Sequence, residues 1–148
     1  MSNRVVDYEA EHLDDIFAGQ LNHEVGENTL EFGNHAKQLE IPGLSYTYMV
    51  NGSPVLCCGI APLWGGVCEG WVIAGEQIYS HGVGAARAIR TGLDVIAARE
   101  KMHRIQTAIL TGDERLPRFA QFLGFQREGL MRKYGVDRKD YELYSRVM

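Results

Sequence analysis

Two periodicities alternate along this chain and divide it into elements. "RVVDY", residues 4–8, is a short strand pattern. In residues 10–20 Leu13, Ile16 and Phe17 recur at helical spacing and share one face. A second helical pattern runs over residues 28–41, with Asn28 or Thr29 as N-cap, Leu30, Phe32, Ala36 and Leu39 inward, and Gly33 interrupting it. Pro42-Gly43 stops it. Strand-like runs follow at "LSYTYMV" and "PVLCCGIAPL", joined by Asn51-Gly52, the strongest short hairpin signal. After the loop "WGGV" comes a third run, "CEGWVIAG". A long alanine-rich helix is then expected from Gly82 to Lys101, with Ala88, Ile89, Leu93, Ile96 and Ala97 inward. The strand "RIQTAIL" and the short helix "ERLPRFAQFLGF" come next. The strands "REGLMRKYGV" and "KDYELYSRV", around a turn at Asp137 to Lys139, close the chain. The order β-α-α-β-β-β-α-β-α-β-β predicts an α/β (α+β) fold, a mixed sheet with helices on both faces.

Composition narrows this picture. The 148 residues fit one domain, residues 1–148, and the 45% hydrophobic content supplies a core. No apolar run approaches the ~20 residues of a membrane span, so no membrane partner is expected. The acidic start "MSNRVVDYEAEHLDD" lacks the basic and apolar regions of a signal peptide, which predicts a cytoplasmic protein. A net charge of −4 argues against dedicated nucleic-acid binding. Arg127, Arg132, Lys133, Arg138 and Lys139 cluster among acidic neighbours, the pattern of a solvated surface. Cys57 and Cys58 are adjacent and point to opposite faces of a strand, and Cys68 stands alone. That spacing suits neither a disulfide framework nor a zinc site, and the histidines show no ligand spacing; no metal is expected.

Two local patterns carry more. "HGVGAA", His81–Ala86, offers backbone amides without bulky side chains at the expected start of the long helix, where the helix dipole favours an anion. "DERLPRFAQFLGF", Asp113–Phe125, ends in Gly-Phe. Together with the element order they resemble the GNAT superfamily, the acyl-CoA-dependent N-acetyltransferases, over nearly the whole chain. In that family an Arg/Gln-x-x-Gly-x-Gly/Ala loop precedes the central helix, and an Asn-x-x-Ala…Gly-Phe segment leads from the fifth strand into the sixth. The resemblance implies a mostly antiparallel sheet and acetyl-CoA as co-substrate. It implies a pyrophosphate on His81, Gly82, Val83, Gly84, Ala85 and Ala86, and pantetheine paired with strand backbone at Val72, Ile73 and Ala74. The implied reaction is direct transfer of the acetyl group to a primary amine, on a small molecule or on a protein N-terminus or lysine. The chain departs from the family at His81, where Arg or Gln is usual, and at Ala120, where many members carry the tyrosine that protonates the departing thiolate.

A narrower likeness lies in "EGWVIAGEQIYS" and the preceding "YMVNGSPVLCCGIAP". These resemble the internal virion protein A family of short-tailed phages. That likeness implies a phage origin, with the host cytoplasm or the virion as location and virion proteins or a second copy as partners. The alternative function is then a catalytically degenerate structural or assembly protein that keeps the fold.

Acetyl transfer needs a base to take a proton from the incoming ammonium. Glu69, at the start of the fourth strand, is the candidate; a solvated carboxylate at a strand start is the structural reading. Glu76 and Gln77 offer similar groups beside the turn. Tyr134, Tyr141 and Tyr144 fall on the last two strands, and Tyr134 is taken as the replacement acid, although such tyrosines more often pack on a sheet. Tyr46 and Tyr48 share a face by period-two spacing. Trp64 sits in the Gly-rich loop as a substrate contact, and Trp71 reads as core.

Overall fold

The computed structural model of the chain describes residues 2–18 and 36–148. Its strands are β1 Asn3–Asp7, β2 Ser45–Val50, β3 Ser53–Trp64, β4 Val67–Ala74, β5 Arg104–Leu110, β6 Gln126–Met131 and β7 Tyr141–Val147. The described helices are α1 Glu11–Ala18, α2 Ile78–Arg99 and α3 Arg115–Phe122, with a helical turn at residues 36–38. The strands form one sheet in the order β1-β2-β3-β4-β5-β7-β6. Among the pairings of defined register only β4–β5 is parallel, so the sheet is mixed and mostly antiparallel, as expected. Most of the second expected helix, with its cap at Asn28 or Thr29, lies outside the described residues.

Element ends shift for identifiable reasons. Asn51 and Gly52 both have positive φ, 51° and 80°, as a two-residue hairpin turn demands. The expected loop at residues 64–67 narrows to Gly65-Gly66, where Gly66 takes a φ of 82°. The long helix starts at Ile78 rather than Gly82, because Ile78, Tyr79 and Ser80 already donate to the carbonyls of Gly75, Glu76 and Gln77. It ends at Arg99, ahead of Lys101, whose φ is 54°. The sixth strand stops at Met131, not Val136, so Tyr134 lies in the connecting loop and not on a strand.

The chain divides into two compact units. In the first, Met1–Ala61 with Trp71–Ala85, the core gathers Tyr8, Leu13, Ile16, Ala36, Leu39 and Cys57, with Trp71 and Ile73 packed against it. His12 joins α1 to the sheet: its Nδ1 lies 2.7 Å from Thr47 Oγ1 and accepts from the Glu9 amide just ahead of the helix. Thr47 and Tyr48 are consecutive and face opposite sides of β2. Thr47 meets α1 through His12, and the Tyr48 hydroxyl lies 2.9 Å from where a Cβ on Gly84 of α2 would stand. This unit therefore carries helices on both faces of its sheet.

The second unit is Pro62–Gly70 with Ala86–Met148. Its buried residues include Leu93, Ile96 and Ala97 of α2, Ile105 of β5, Ala120 and Leu123, Phe125, and Tyr144 of β7. Arg146 pairs with Asp94 and ties β7 to α2. On the other face of the sheet a polar row crosses three strands. Arg104 of β5 binds Glu128 of β6 through two nitrogens, at 2.7 and 2.9 Å, and the Ser145 hydroxyl of β7 also donates to Glu128. Glu128 is the extra residue of a bulge, since the register passes from Arg127↔Tyr144 to Gly129↔Leu143.

Two stability effects are expected. Gly59 lies against the chain at Leu44, where an added Cβ would come within 2.5 Å of the Leu44 carbonyl and 3.0 Å of Trp71 Nε1. Gly59→Ala should therefore cost about 1–3 kcal/mol. Gly92→Ala, on α2 with nothing within 4 Å of the new methyl, should gain about 0.5–1 kcal/mol; urea unfolding measures both. The second effect concerns acid. The Arg104 guanidinium and the Ser145 hydroxyl hold the Glu128 carboxyl at about 2, below its usual 4.5. A lowered folded pKa contributes stability that is complete above the unfolded value and is lost as pH falls through the folded one. Between pH 4.5 and 2 the wild type should lose stability more steeply than Glu128→Gln; equal slopes in urea titrations at several pH values would contradict this.

Candidate functional site

Glu69 stands half-buried on β4, where the parallel register sets it opposite Gln106 of β5. The β4–β5 register runs from Val67↔Arg104 to Glu69↔Gln106, while β4 itself continues to Ala74. The next residue, Gly70, has no side chain, and a Cβ there would meet Ile105 Cγ2 at 3.3 Å and Phe125 Cζ at 4.0 Å. The Gly-Phe segment is thus used: Gly124 turns the chain with a φ of 95°, and Phe125 packs beneath Gly70.

Tyr134 reaches the same site from the β6–β7 loop. That loop is braced by its own backbone. Gly135 donates to the Lys139 carbonyl, Lys133 donates to Asp140 Oδ1, and both the amide and the hydroxyl of Thr111 donate to the Asp140 carbonyl. Gly135 is required there, because a Cβ would lie 2.6 Å from Asp137 Oδ1 and 2.8 Å from the Tyr141 ring. The Tyr134 ring stands edge-on to Tyr141, 5.3 Å between centroids, yet remains 53% exposed. Its phenol is raised above the ordinary tyrosine value by desolvation first, then by the Glu69 charge, then by Tyr141. The two candidate catalytic residues, 65 positions apart in sequence, are therefore electrostatic neighbours. Tyr144 is buried and Tyr141 half-buried. Ala120 is buried in α3, and its methyl group offers no proton to donate.

The start of α2 differs from the sequence expectation. His81, Gly82, Val83, Gly84, Ala85 and Ala86 all lie inside the helix, where amides donate to carbonyls four residues back. Ala85 and Ala86 are buried and Val83 is exposed. Gly84 makes room for Tyr48, whereas a Cβ on Gly82 would meet nothing within 4 Å among the described residues. The helix N-terminus falls instead at Ile78, directly after Gly75, Glu76 and Gln77. Beside it lies an open hollow of about 210 Å³ lined by Asp15, Ile16, Pro54, Gly75, Glu76 and Gln77. Its two carboxylates repel phosphate, so attraction for an anion there falls to backbone amides and the helix dipole. Val72 is exposed on β4, and Ile73 and Ala74 are half-buried.

Other candidates fall away on geometry. Burial pushes the thiols up, Cys57 and Cys68 to about 11 and Cys58 to about 12, so all three remain protonated and weakly nucleophilic. Tyr46 donates to the Gly43 carbonyl at 2.8 Å. Trp71 packs edge-on against Tyr8 at 5.1 Å, as a core residue does, while Trp64 is exposed at the end of β3. Asp113 accepts from the Arg115 amide and guanidinium, a contact local to the start of α3. The row of Arg104, Gln106, Glu128 and Ser145 was not anticipated. Its only sequence signal is the alternation of Arg104 and Gln106 on one face of β5.

No protein-family model matches the sequence, and no curated protein sequence matches it at a significant level. Solved structures do match. Ard1 from Thermoplasma volcanium aligns with a TM-score of 0.77 at 16% identity, over 100% of this chain and 99% of that one. An acetyltransferase of the GNAT family from Bacillus anthracis aligns at 0.73 and 16% identity, over 98% and 94%. The microcin C7 self immunity acetyltransferase MccE, solved with acetyl-CoA and AMP, aligns at 0.72 and 12% identity, over 99% and 92%. Over its whole length, the chain has the fold of these acetyltransferases.

Proposed function

We propose that residues 1–148 form a single acyl-CoA-dependent N-acetyltransferase domain that moves an acetyl group from acetyl-CoA to a primary amine. The observation that carries this reading is the convergence of Glu69 and Tyr134, a carboxylate and a protonated phenol within each other's field. Glu69 takes a proton from the acceptor ammonium, directly or through water. The freed amine attacks the thioester carbonyl carbon, and the zwitterionic tetrahedral adduct collapses with cleavage of the C–S bond. The departing thiolate takes the Tyr134 proton, and the nitrogen of the new amide gives its extra proton to the Tyr134 phenolate. A phenol pushed above its ordinary value stays protonated at neutral pH, the state a general acid needs. The aromatic pair of Tyr134 and Tyr141 beside a carboxylate also suits an ammonium group, through cation–π attraction. Small-molecule amines and protein N-termini or lysines share that group.

The co-substrate is assigned to backbone. Val72, Ile73 and Ala74 pair with the pantetheine amides, supported by a β4 that outruns its register with β5. The pyrophosphate takes the start of α2. For His81–Ala86 to take it the first turns must unwind to free amides at Gly82–Ala86, and the amides of Ile78, Tyr79 and Ser80 upstream already donate to the carbonyls of Gly75, Glu76 and Gln77.

Three substitutions test the reading. Glu69→Gln should lower kcat by roughly 10²–10⁴-fold with acetyl-CoA affinity retained, and Tyr134→Phe should do the same at the lower end of that range. Thiol release over a panel of amines and peptides, beside calorimetric titration with acetyl-CoA and CoA, supplies both numbers. Turnover unchanged in both variants would remove these roles, and failure of wild type to bind CoA would favour the virion assembly reading. Gly82→Ala should stabilise α2 by about 0.5–1 kcal/mol, since its methyl meets open space among the described residues, yet weaken acetyl-CoA binding. A more stable protein of unchanged affinity would mean that Gly82 does not serve the co-substrate.

A further inference from the structure

Gln106 occupies the position between the proposed base and the polar row. It is the register partner of Glu69, and in a parallel pair both side chains leave the same face of strands about 4.8 Å apart. Gln106 Oε1 accepts from Arg104 Nε at 3.0 Å. Arginine has five donors and no acceptor, so this contact decides which end of the amide faces Arg104. The oxygen is turned toward Arg104 and the NH2 group away from it. Arg104 is itself fixed by the two-point contact with Glu128, which the bulge in β6 and the Ser145 hydroxyl hold in place. Neither the Gln106 NH2 group nor the Glu69 carboxylate has a hydrogen-bond partner among the described residues. A donor of fixed orientation and an unfilled acceptor thus stand on adjacent strands, on one face.

We infer that Gln106 is the positioning residue for Glu69, its side-chain NH2 donating to one carboxylate oxygen and leaving the other to meet the acceptor ammonium. Arg104, Glu128 and Ser145 act through it by preventing the amide from flipping. This assignment rests on Glu69 as the base, and the experiment separates the two claims.

The Gln106 side-chain amide resonances, identified by their loss in Gln106→Met, are followed through a pH titration of the wild-type protein and of Glu69→Gln. They should move with pH through the carboxylate range in wild type and lose most of that movement in Glu69→Gln. Glu128→Gln serves as the control for titration sensed through Arg104. An amide that does not respond to pH, or responds equally in Glu69→Gln, overturns the contact whatever the enzyme does. In turnover, Gln106→Met should lower kcat roughly tenfold, the scale of one lost hydrogen bond, with KM for acetyl-CoA unchanged. Full turnover in Gln106→Met overturns the positioning role. A titrating amide in a protein that acetylates nothing supports the contact and removes the catalytic reading instead.

Discussion

Three parallel residue pairs, Val67 to Glu69 against Arg104 to Gln106, are the constraint on which the candidate site depends. Parallel neighbours cannot be joined by a tight turn, so the chain between them must travel back, and α2 is that crossover. The pairing is anchored at its start by the Gly66 carbonyl, which accepts from both His103 and Arg104. It ends beside Gly70, where a missing side chain admits Ile105 and Phe125. Glu69 sits on the last registered pair, and its position is therefore set by backbone hydrogen bonds rather than by side-chain preference.

The glycines near the start of α2 have different physical reasons, although they look alike in sequence. Gly84 is a packing requirement, because the Tyr48 hydroxyl occupies the space of its absent methyl. Gly82 has no such neighbour among the described residues and weakens the helix without a packing return there. A glycine kept at a local cost is the more informative of the two about a ligand. The first turn of α2 is closed by three short backbone hydrogen bonds, and the acidic hollow beside it would disfavour phosphate on that side.

The chemistry within reach is narrow for a similar reason. All three thiols are disfavoured as thiolates by burial, and His12 is engaged by Thr47 and the Glu9 amide. Glu69 and Tyr134 differ from these in being accessible while still coupled, half-buried and half-exposed respectively. The outer strands contribute rigidity instead of reactive groups. The contact of Arg104 with Glu128 spans β5 to β6 across β7, so the sheet beside Glu69 is braced from its edge.

Local physics made much of the fold legible. Asn51-Gly52 encodes its hairpin because both positions need left-handed backbone, and the spacing of Leu93, Ile96 and Ala97 encodes a buried helix face. Glu69 and the Gly-Phe segment could be picked out only through the family resemblance and the chemistry it implies. The sequence places the start of α2 at Gly82, whereas hydrogen bonds from Ile78, Tyr79 and Ser80 close the turn upstream. The sequence places Tyr134 on a strand, whereas it lies in a loop whose bracing comes from Thr111 and Asp140, 29 residues apart. The sequence by itself determined elements and turns, products of short-range sterics and periodicity, and through the family resemblance one candidate base. Only the tertiary structure decided that Tyr134 lies within the field of Glu69 and that Gln106 pairs in register with Glu69 while accepting from Arg104, because loop packing and strand register create those neighbours and no local pattern specifies either.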